Sequence, residues 1–208
     1  MSTERETRVQ RLLTEIRACQ VCQKDLPLGP RPLLQFASDS RILIVGQAPG
    51  MKAHLSGVPW ADASGERLRD WLGIGPSTFY DASMFAIVPM GFCYPGRGRG
   101  GDNPPRPECA PLWLDEILNQ LANIQLTLLI GSYAQARFLG RTRRLSLTET
   151  VAAWREYAPR FIPLPHPSPR NQAWFKRHGW FHTDIVPVIR ERVAASLYAK
   201  NRSKPRPA

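Results

Sequence analysis

Four short apolar runs recur along the chain, and each leads into a loop rich in glycine, proline or polar residues. The runs cover residues 41–46, 84–88, 126–130 and 160–164. Uninterrupted apolar runs of this length are typical of strands buried on both faces of a parallel sheet. The stretches between them are long enough for crossover helices. The pattern therefore predicts an α/β fold, a three-layer α/β/α sandwich with a central four-stranded parallel sheet.

Apolar residues at helical spacing predict the helices of this sandwich. Residues 4–18 form an amphipathic pattern that leads into Cys19. A loop over residues 46–65 leads into a helix that carries Leu68, Trp71 and Leu72. Further helices are expected over residues 112–121 and 132–139, near Trp154, and over 184–197. Gly140 stands where a glycine commonly ends a helix.

Length and composition favour a single domain. Of the 208 residues, 43% are apolar, which is enough for one core. Residues 1–198 are expected to form this domain, and residues 199–208 a basic tail without fixed structure. No apolar stretch reaches the roughly 20 residues of a membrane helix, and the charged first segment is unlike a signal peptide. We therefore expect a cytoplasmic protein, and a monomer.

The charge of the chain indicates a polyanionic partner. The formal net charge is +11, and each Lys or Arg placed on a phosphate releases counterions. Nucleic acid is the partner that fits this balance. The alternative is that the charge serves only solubility, with part of it in a solvated tail.

Four cysteines form two closely spaced pairs, Cys19 with Cys22 and Cys93 with Cys109. Disulfides are a poor explanation for them in a reducing cytoplasm. A C-x2-C pair lets two thiolates reach one metal, and a second pair completes four ligands for zinc or an iron–sulfur cluster. The alternative is four unconnected core cysteines.

Two loops that follow predicted strands carry the candidate chemistry. Residues 46–50 read Gly-Gln-Ala-Pro-Gly, a turn whose backbone N–H groups can approach an anion or a carbonyl group. Residues 165–171 read Pro-His-Pro-Ser-Pro-Arg-Asn, a loop stiffened by three prolines. The first loop is neither a Walker A motif nor a dinucleotide-binding fingerprint. Because both loops follow parallel strands, we expect them at the same end of the sheet.

Taken together, these loops resemble the uracil-DNA glycosylase superfamily, which has a G-x-x-P-G motif at a strand end and a later H-P-S loop. The second loop is most similar to the single-strand-selective branch. The cysteine spacings, C-x2-C before the first motif and C-x15-C in the middle, resemble the iron–sulfur branch called family 4. Residues 103–108, Asn-Pro-Pro-Arg-Pro-Glu, are similar to that branch's loop between the second pair. The resemblance covers residues 12–192.

The resemblance implies a DNA glycosylase that flips a base out of the helix and hydrolyses its bond to deoxyribose. His166 would donate a hydrogen bond to the departing base. Gly46, Gln47 and Ala48 would hold the water or a base carbonyl, and Gly91 lies where the family contacts the base. Trp60 would stack on the base, although it could be only a core residue. Further implied positions are Ser168, Arg170 and Asn171 for DNA, and Cys19, Cys22, Cys93 and Cys109 for a structural 4Fe-4S cluster, with zinc as the alternative.

The chain departs from family 4 at its first motif. Gln47 stands where that branch carries a glutamate, and residues 88–91 offer no side-chain amide to read uracil. Asp62 lies in an Asp-Ala-Ser-Gly sequence similar to the Asp-x-Ser-Gly of family 5, whose first motif also lacks a carboxylate. Asp62 would then position water or stabilise the sugar cation. It would otherwise be the N-cap of the next helix.

Three functional hypotheses remain open at this stage. The first is a DNA repair glycosylase that releases a deaminated base, with uracil as the expected base. The second is a nucleic-acid-binding relative of the same fold without catalytic activity. The third is a nucleotide- or phosphosugar-binding α/β enzyme, which would leave the four cysteines unexplained.

Overall fold

A four-stranded parallel sheet forms the centre of the molecule in the computed structural model, which describes residues 2–198. The predicted tail, residues 199–208, lies outside these residues. All four predicted strands are present, and a two-stranded antiparallel hairpin is added to them. In chain order the strands are β1 (Ile42–Val45), β2 (Phe85–Ile87), β3 (Arg97–Gly98), β4 (Gly101–Asp102), β5 (Leu126–Ile130) and β6 (Phe161–Leu164).

The central sheet has the order β2-β1-β5-β6, with every pair parallel. Each of its strands is almost fully buried along its length, which explains why the sequence shows continuous apolar runs instead of alternation. The chain runs outward in opposite directions on the two sides of β1. The boundary between β1 and β5 is therefore a topological switch point, where α/β proteins commonly bind ligands at the carboxyl ends of the strands.

Helices cover both faces of the sheet. They are α1 (Ser2–Arg17), α2 (Met51–Ser56), α3 (Ala63–Leu72), α4 (Pro76–Phe79), α5 (Asp115–Gln120), α6 (Ser132–Leu139), α7 (Leu147–Ala152), α8 (Gln172–Arg177) and α9 (Val186–Tyr198). Every helix expected from the sequence is present. The one over 112–121 is divided, with a wider turn over Ala110–Leu114 before α5.

Alternate side chains of the strands enter two separate cores. Ile42 and Ile44 of β1 pack into a core with residues of α3, α8 and α9. Leu43 and Val45 of the same strand face the other way, into a core with residues of α1, α5 and α6. This alternation is the geometry of a strand between two helical layers. The predicted three-layer α/β/α architecture is confirmed.

Two short elements next to the loops of interest have no local signal in the sequence. Helix α2 lies within the segment that was expected to be a loop between residues 46 and 65. The β3–β4 hairpin lies between Cys93 and Cys109, with Arg97 opposite Asp102 and Gly98 opposite Gly101. Among the residues that the structure describes, no helix is both long and apolar enough to cross a membrane.

Candidate active site

A cavity of about 640 Å³ opens at the carboxyl ends of the central strands. Its walls come from the loop after β1, the start of α3, the residue Pro89 after β2, the β3–β4 hairpin and the loop after β6. The two loops that the sequence singled out therefore face the same space, as expected from the parallel sheet. Strand β5 separates their parent strands β1 and β6, and the cavity spans this separation.

The loop after β6 fixes the orientation of His166 through its own backbone. The backbone N–H of Ser168 donates to Nδ1 of His166 at 3.2 Å. The side-chain amide of Asn171 donates to the His166 carbonyl oxygen at 2.8 Å. Because Nδ1 accepts a hydrogen bond, the proton of the neutral imidazole resides on Nε2. The His166 ring lines the cavity as a ready hydrogen-bond donor.

Burial keeps His166 neutral. Desolvation lowers the pKa of His166 below its ordinary value of 6.5, and the carboxylates of Asp62 and Asp102 oppose this effect only in part. The neutral form therefore predominates at pH 7. A neutral imidazole with its proton on Nε2 can donate a hydrogen bond to a developing anion.

The indole of Trp60 is stacked on the His166 ring. The ring centroids are 5.6 Å apart and the planes differ by 29°. Trp60 is the one non-glycine residue with positive φ in the described part of the chain, at 59°. Two glycines allow it this position: a Cβ on Gly46 would lie 3.1 Å from the indole, and one on Gly65 would lie 1.8 Å from the Trp60 carbonyl oxygen. Trp60 also packs against the core, as the core interpretation of this residue expects, while its stacking on a base stays a prediction.

Asp62 caps helix α3 and also borders the cavity. Its Oδ1 accepts the backbone N–H of Gly65 at 3.0 Å, and its extended backbone is that of an N-cap. The structural alternative for Asp62 is therefore correct, but it does not use the whole carboxylate. The side chain remains half-buried at the cavity wall, where its charge reaches His166.

The loop after β1 is held by backbone hydrogen bonds to the segment after β2. Met90 N–H donates to the Gly46 carbonyl at 2.9 Å, and Gly91 N–H donates to the Gln47 carbonyl at 2.9 Å. The Gln47 amide donates to the Asn103 carbonyl at 3.1 Å. Gly46, Gln47 and Ala48 line the cavity. Gly91 is buried against Pro105 and Arg106 and is not among the lining residues.

Of the three residues predicted to bind DNA, one has an exposed side chain, and the side chains of the other two form hydrogen bonds within their own loop. Arg170 is exposed at the cavity rim. Ser168 caps the turn Pro169–Asn171 by accepting the Arg170 N–H at 3.2 Å, and Asn171 holds the His166 carbonyl as described above. The Arg67 guanidinium supports this loop from α3 by donating to the Ser168 carbonyl at 3.2 Å. The structure brings all three residues to the cavity mouth, but Ser168 and Asn171 shape the loop.

All four cysteines line a second, smaller cavity on the side of the molecule next to α1. They come from the end of α1, the loop after β2 and the start of the wide turn before α5. None of the four forms a disulfide, and Cys19 is the least buried of them. Desolvation raises the pKa of Cys22 and Cys109, and it raises that of Cys93 to about 11.

The side chains that line this second cavity are suited to hold a metal ion or cluster through thiolate ligands. Four sulfur atoms share the cavity with the apolar side chains of Leu26, Phe92 and Trp113, and Arg106 is the single charged residue among its lining residues. Soft thiolate ligands select zinc or iron–sulfur clusters. Among the described His, Cys, Asp and Glu side chains, no group of three or more is arranged to hold a metal ion. A tetrahedral zinc site, with bonds of about 2.3 Å, would need the sulfur atoms to be drawn together.

Two cavity residues were missed in the sequence. Tyr94 follows Cys93, is almost fully buried and lines the cavity. Asp102 lies at the end of the β3–β4 hairpin and also lines the cavity. Their positions depend on how the segment between Cys93 and Cys109 folds back, which no local pattern indicates. The only available signal is that Asp102 is the single acidic residue of the Gly- and Arg-rich run over residues 96–102.

The fold and the site define an α/β/α protein with a cavity at the carboxyl end of its sheet that contains a neutral histidine donor. The model of the Uracil DNA glycosylase superfamily matches residues 34–190, and the chain belongs to this superfamily. A candidate uracil DNA glycosylase from Methanosarcina acetivorans, solved by NMR, shares 12% identity with a TM-score of 0.45. That match covers 77% of this chain and 98% of the other.

Proposed function

We propose that this protein is a DNA glycosylase that releases a deaminated base, with uracil as the first substrate to test. The observation that carries the proposal is the Ser168 N–H hydrogen bond to Nδ1 of His166, which leaves the Nε2 proton available at the cavity. Membership of the superfamily implies a DNA substrate and supports the reaction class.

His166 would stabilise the departing base. Cleavage of the glycosidic bond leaves the bonding electrons on the base and positive charge on the sugar. A fixed donor aimed at a base oxygen binds this anion more tightly than the ground state, which lowers the barrier. The rigid loop and the low pKa of His166 keep the donor in one place and one protonation state.

The walls of the cavity would receive a flipped base. Its volume of about 640 Å³ is within the range of small-molecule sites, and the half-buried Trp60 offers aromatic surface there. Asp62 would stabilise the positive sugar through its charge, while its Oδ1 holds the start of α3. Gln47 would orient water or a base carbonyl but cannot accept a proton from water.

The rim of the cavity would hold the DNA. Arg170 is exposed next to the site, and an arginine there can enter the gap that a flipped base leaves or bind phosphate. Ser168 and Asn171 would contribute mainly by shaping the loop that carries Arg170. Exposed Arg97 and Arg99 on the hairpin extend the cationic surface beside the cavity.

Cys19, Cys22, Cys93 and Cys109 would hold a 4Fe-4S cluster with a structural role. When bound, such a cluster deprotonates its thiol ligands and links the segments that carry them. Those segments are the end of α1 and the two ends of the loop that contains the β3–β4 hairpin. Base hydrolysis transfers no electrons, so no redox step is required of it.

A second candidate function is binding of nucleic acid without catalysis. It is favoured by two observations: the first motif has no carboxylate, and the Gln47 amide donates to the Asn103 carbonyl. Both candidates predict DNA binding, so binding alone does not distinguish them. They differ in whether a base is released.

The test is a base-release assay on single- and double-stranded DNA that contains uracil, hypoxanthine or xanthine. Abasic sites that form with the wild-type protein and disappear with His166→Ala support the glycosylase. Binding of all these DNAs without base release supports the binding relative. Asp62→Asn retains a capping side chain, so full activity of this variant would exclude the electrostatic role of Asp62.

A further inference from the structure

We propose that Asp102, on the β3–β4 hairpin, is the carboxylate that orients the hydrolytic water and accepts its proton, an inference that rests on the proposed glycosylase function. It supplies the acid that the first motif lacks. The residue lies outside both strand-end motifs and is brought to the cavity only by the folding of the segment between Cys93 and Cys109.

The position of Asp102 is defined by the open space above Gly50. A carbon at the Cβ position of Gly50 would lie 3.3 Å from Oδ2 of Asp102 and 4.0 Å from Oδ2 of Asp62. Both carboxylates therefore face one point that lies within the cavity wall. We place the hydrolytic water just beyond that point, beside the Asp102 oxygen, in the space that a side chain would fill if residue 50 were not glycine.

The other polar side chains of the cavity are less suited to take a proton from water. Asp62 uses Oδ1 to cap α3. Gln47 donates its amide to Asn103, and an amide oxygen is not a base. His166 accepts the Ser168 N–H at Nδ1 and presents a donor. Among the described residues, Asp102 makes no ion pair or side-chain hydrogen bond, so its oxygens are free for water.

The hairpin residues on either side of Asp102 are contacted by other parts of the chain. On one side, Asn103 receives the Gln47 amide at its carbonyl oxygen, and its own side chain donates to the Pro95 carbonyl at 3.1 Å. On the other, the Arg170 guanidinium lies over Gly101, where an added Cβ would be 2.7 Å from Nη1. Asp102 thus sits between the loop after β1 and the loop that carries His166.

Electrostatics also favour this role. Asp62 and Asp102 are the only acidic residues among the described residues that line the cavity. In a chain of net charge +11, acidic side chains that face a DNA-binding cavity would weaken phosphate binding. The same charges stabilise a positive sugar at C1′. Asp102 lines this cavity together with other charged or titratable groups, namely Lys52, Asp62, Tyr94, Arg97, His166 and Arg170.

The proposed step balances as a hydrolysis. The bond between C1′ and the base nitrogen breaks, and its electron pair leaves with the base, whose oxygen accepts a hydrogen bond from His166 Nε2. The water oxygen forms the new bond to C1′ as Asp102 takes one water proton. The proton then passes to the base or to solvent, which restores the carboxylate.

The test compares single-turnover base release and DNA affinity for the wild-type protein, Asp102→Asn and Asp39→Asn. Asp39 is exposed in a turn before β1, so its variant controls for the loss of one negative charge. Loss of a general base costs roughly 100-fold or more in rate. We expect the rate of base release by Asp102→Asn to fall by this factor, while the rate of Asp39→Asn stays at the wild-type level. Asp102→Asn should bind DNA at least as tightly as Asp39→Asn.

Gly50→Ala tests the water position without removing a carboxylate. Residue 50 has a φ of −81°, which alanine adopts readily, so its methyl group would fill the space between the two acids. We expect a similar loss of base release with unchanged thermal stability. If Asp102→Asn and Gly50→Ala both release base within about threefold of the wild-type rate, the role of Asp102 is wrong while the glycosylase function stands. If the wild-type protein itself releases no base, the proposed function is wrong as well.

Discussion

The indole of Trp60 lies on the imidazole of His166, with 5.6 Å between the ring centroids and 29° between the planes. Residues that are 106 positions apart in the chain are thereby fixed against each other across the cavity. The contact limits rotation of the His166 ring, and the Ser168 N–H fixes its tautomer. The His166 ring is therefore held by packing on one side and by a hydrogen bond on the other.

Trp60→Ala should reduce base release because it removes the surface on which His166 rests. We expect a decrease of about 10- to 100-fold in the single-turnover rate, since a small displacement of a catalytic group can cost about this much. Trp180→Ala is the control, because Trp180 is also half-buried but does not line the cavity. Equal rates for the two variants would show that the stacking is irrelevant to catalysis.

Gly65→Ala should destabilise the protein through a collision with the backbone of Trp60. The new Cβ would lie 1.8 Å from the Trp60 carbonyl oxygen, and no rotamer change can relieve a contact between backbone and Cβ. We expect the free energy of unfolding to fall by about 2 kcal/mol or more. Gly179→Ala is the matched control, because nothing lies within 4 Å of its Cβ position. Denaturant melts that give the same midpoint for both variants would contradict this packing.

His166 should titrate below pH 6.5 with its neutral proton on Nε2. Burial lowers its pKa, and the pKa of His54 is lowered for the same reason. The unfolded chain therefore binds protons more readily than the folded chain, so stability should fall as the pH drops through about 6.5. Nitrogen NMR of the imidazole measures both the pKa and the tautomer. A titration midpoint above 6.5 would contradict the effect of burial on the pKa. A neutral proton on Nδ1 would contradict the hydrogen bond from Ser168.

The purified protein should be brown and contain about four irons per chain, as expected for four cysteine ligands of a 4Fe-4S cluster. Colourless protein with one zinc ion would contradict the cluster. After removal of the metal, iodoacetamide at pH 8 should modify the more accessible Cys19 well before Cys93, because burial raises the pKa of Cys93 to about 11. Mass spectrometry of the alkylated peptides measures the order of modification.

The central fold could be predicted from the sequence because its signals are local. Each of the four strands is buried on both faces, so each appears as a continuous apolar run, and each run leads to a loop at the same end of the sheet. Gly46 to Gly50 and His166 could be placed at one cavity for this reason alone. The dual nature of Asp62, a cap that also borders the cavity, could be stated only as two alternatives.

The remaining parts of the site depend on contacts that no local pattern encodes. The β3–β4 hairpin is formed by two-residue strands rich in glycine, and it is held by the hydrogen bonds of Asn103 to Gln47 and Pro95 rather than by its own propensity. Asp102 therefore could not be placed from the sequence. The stacking of Trp60 on His166 likewise depends on two close approaches, at Gly46 and Gly65, whose partners are known only after folding.

The central claim is that His166 drives the release of a base from DNA. The most direct measurement is detection of free uracil by mass spectrometry after the protein is mixed in excess with uracil-containing DNA. The claim predicts release by the wild-type protein and a decrease of at least about 100-fold for His166→Ala, with DNA binding retained. Release at the same rate by both proteins, or binding by the wild-type protein without any free base, would contradict it.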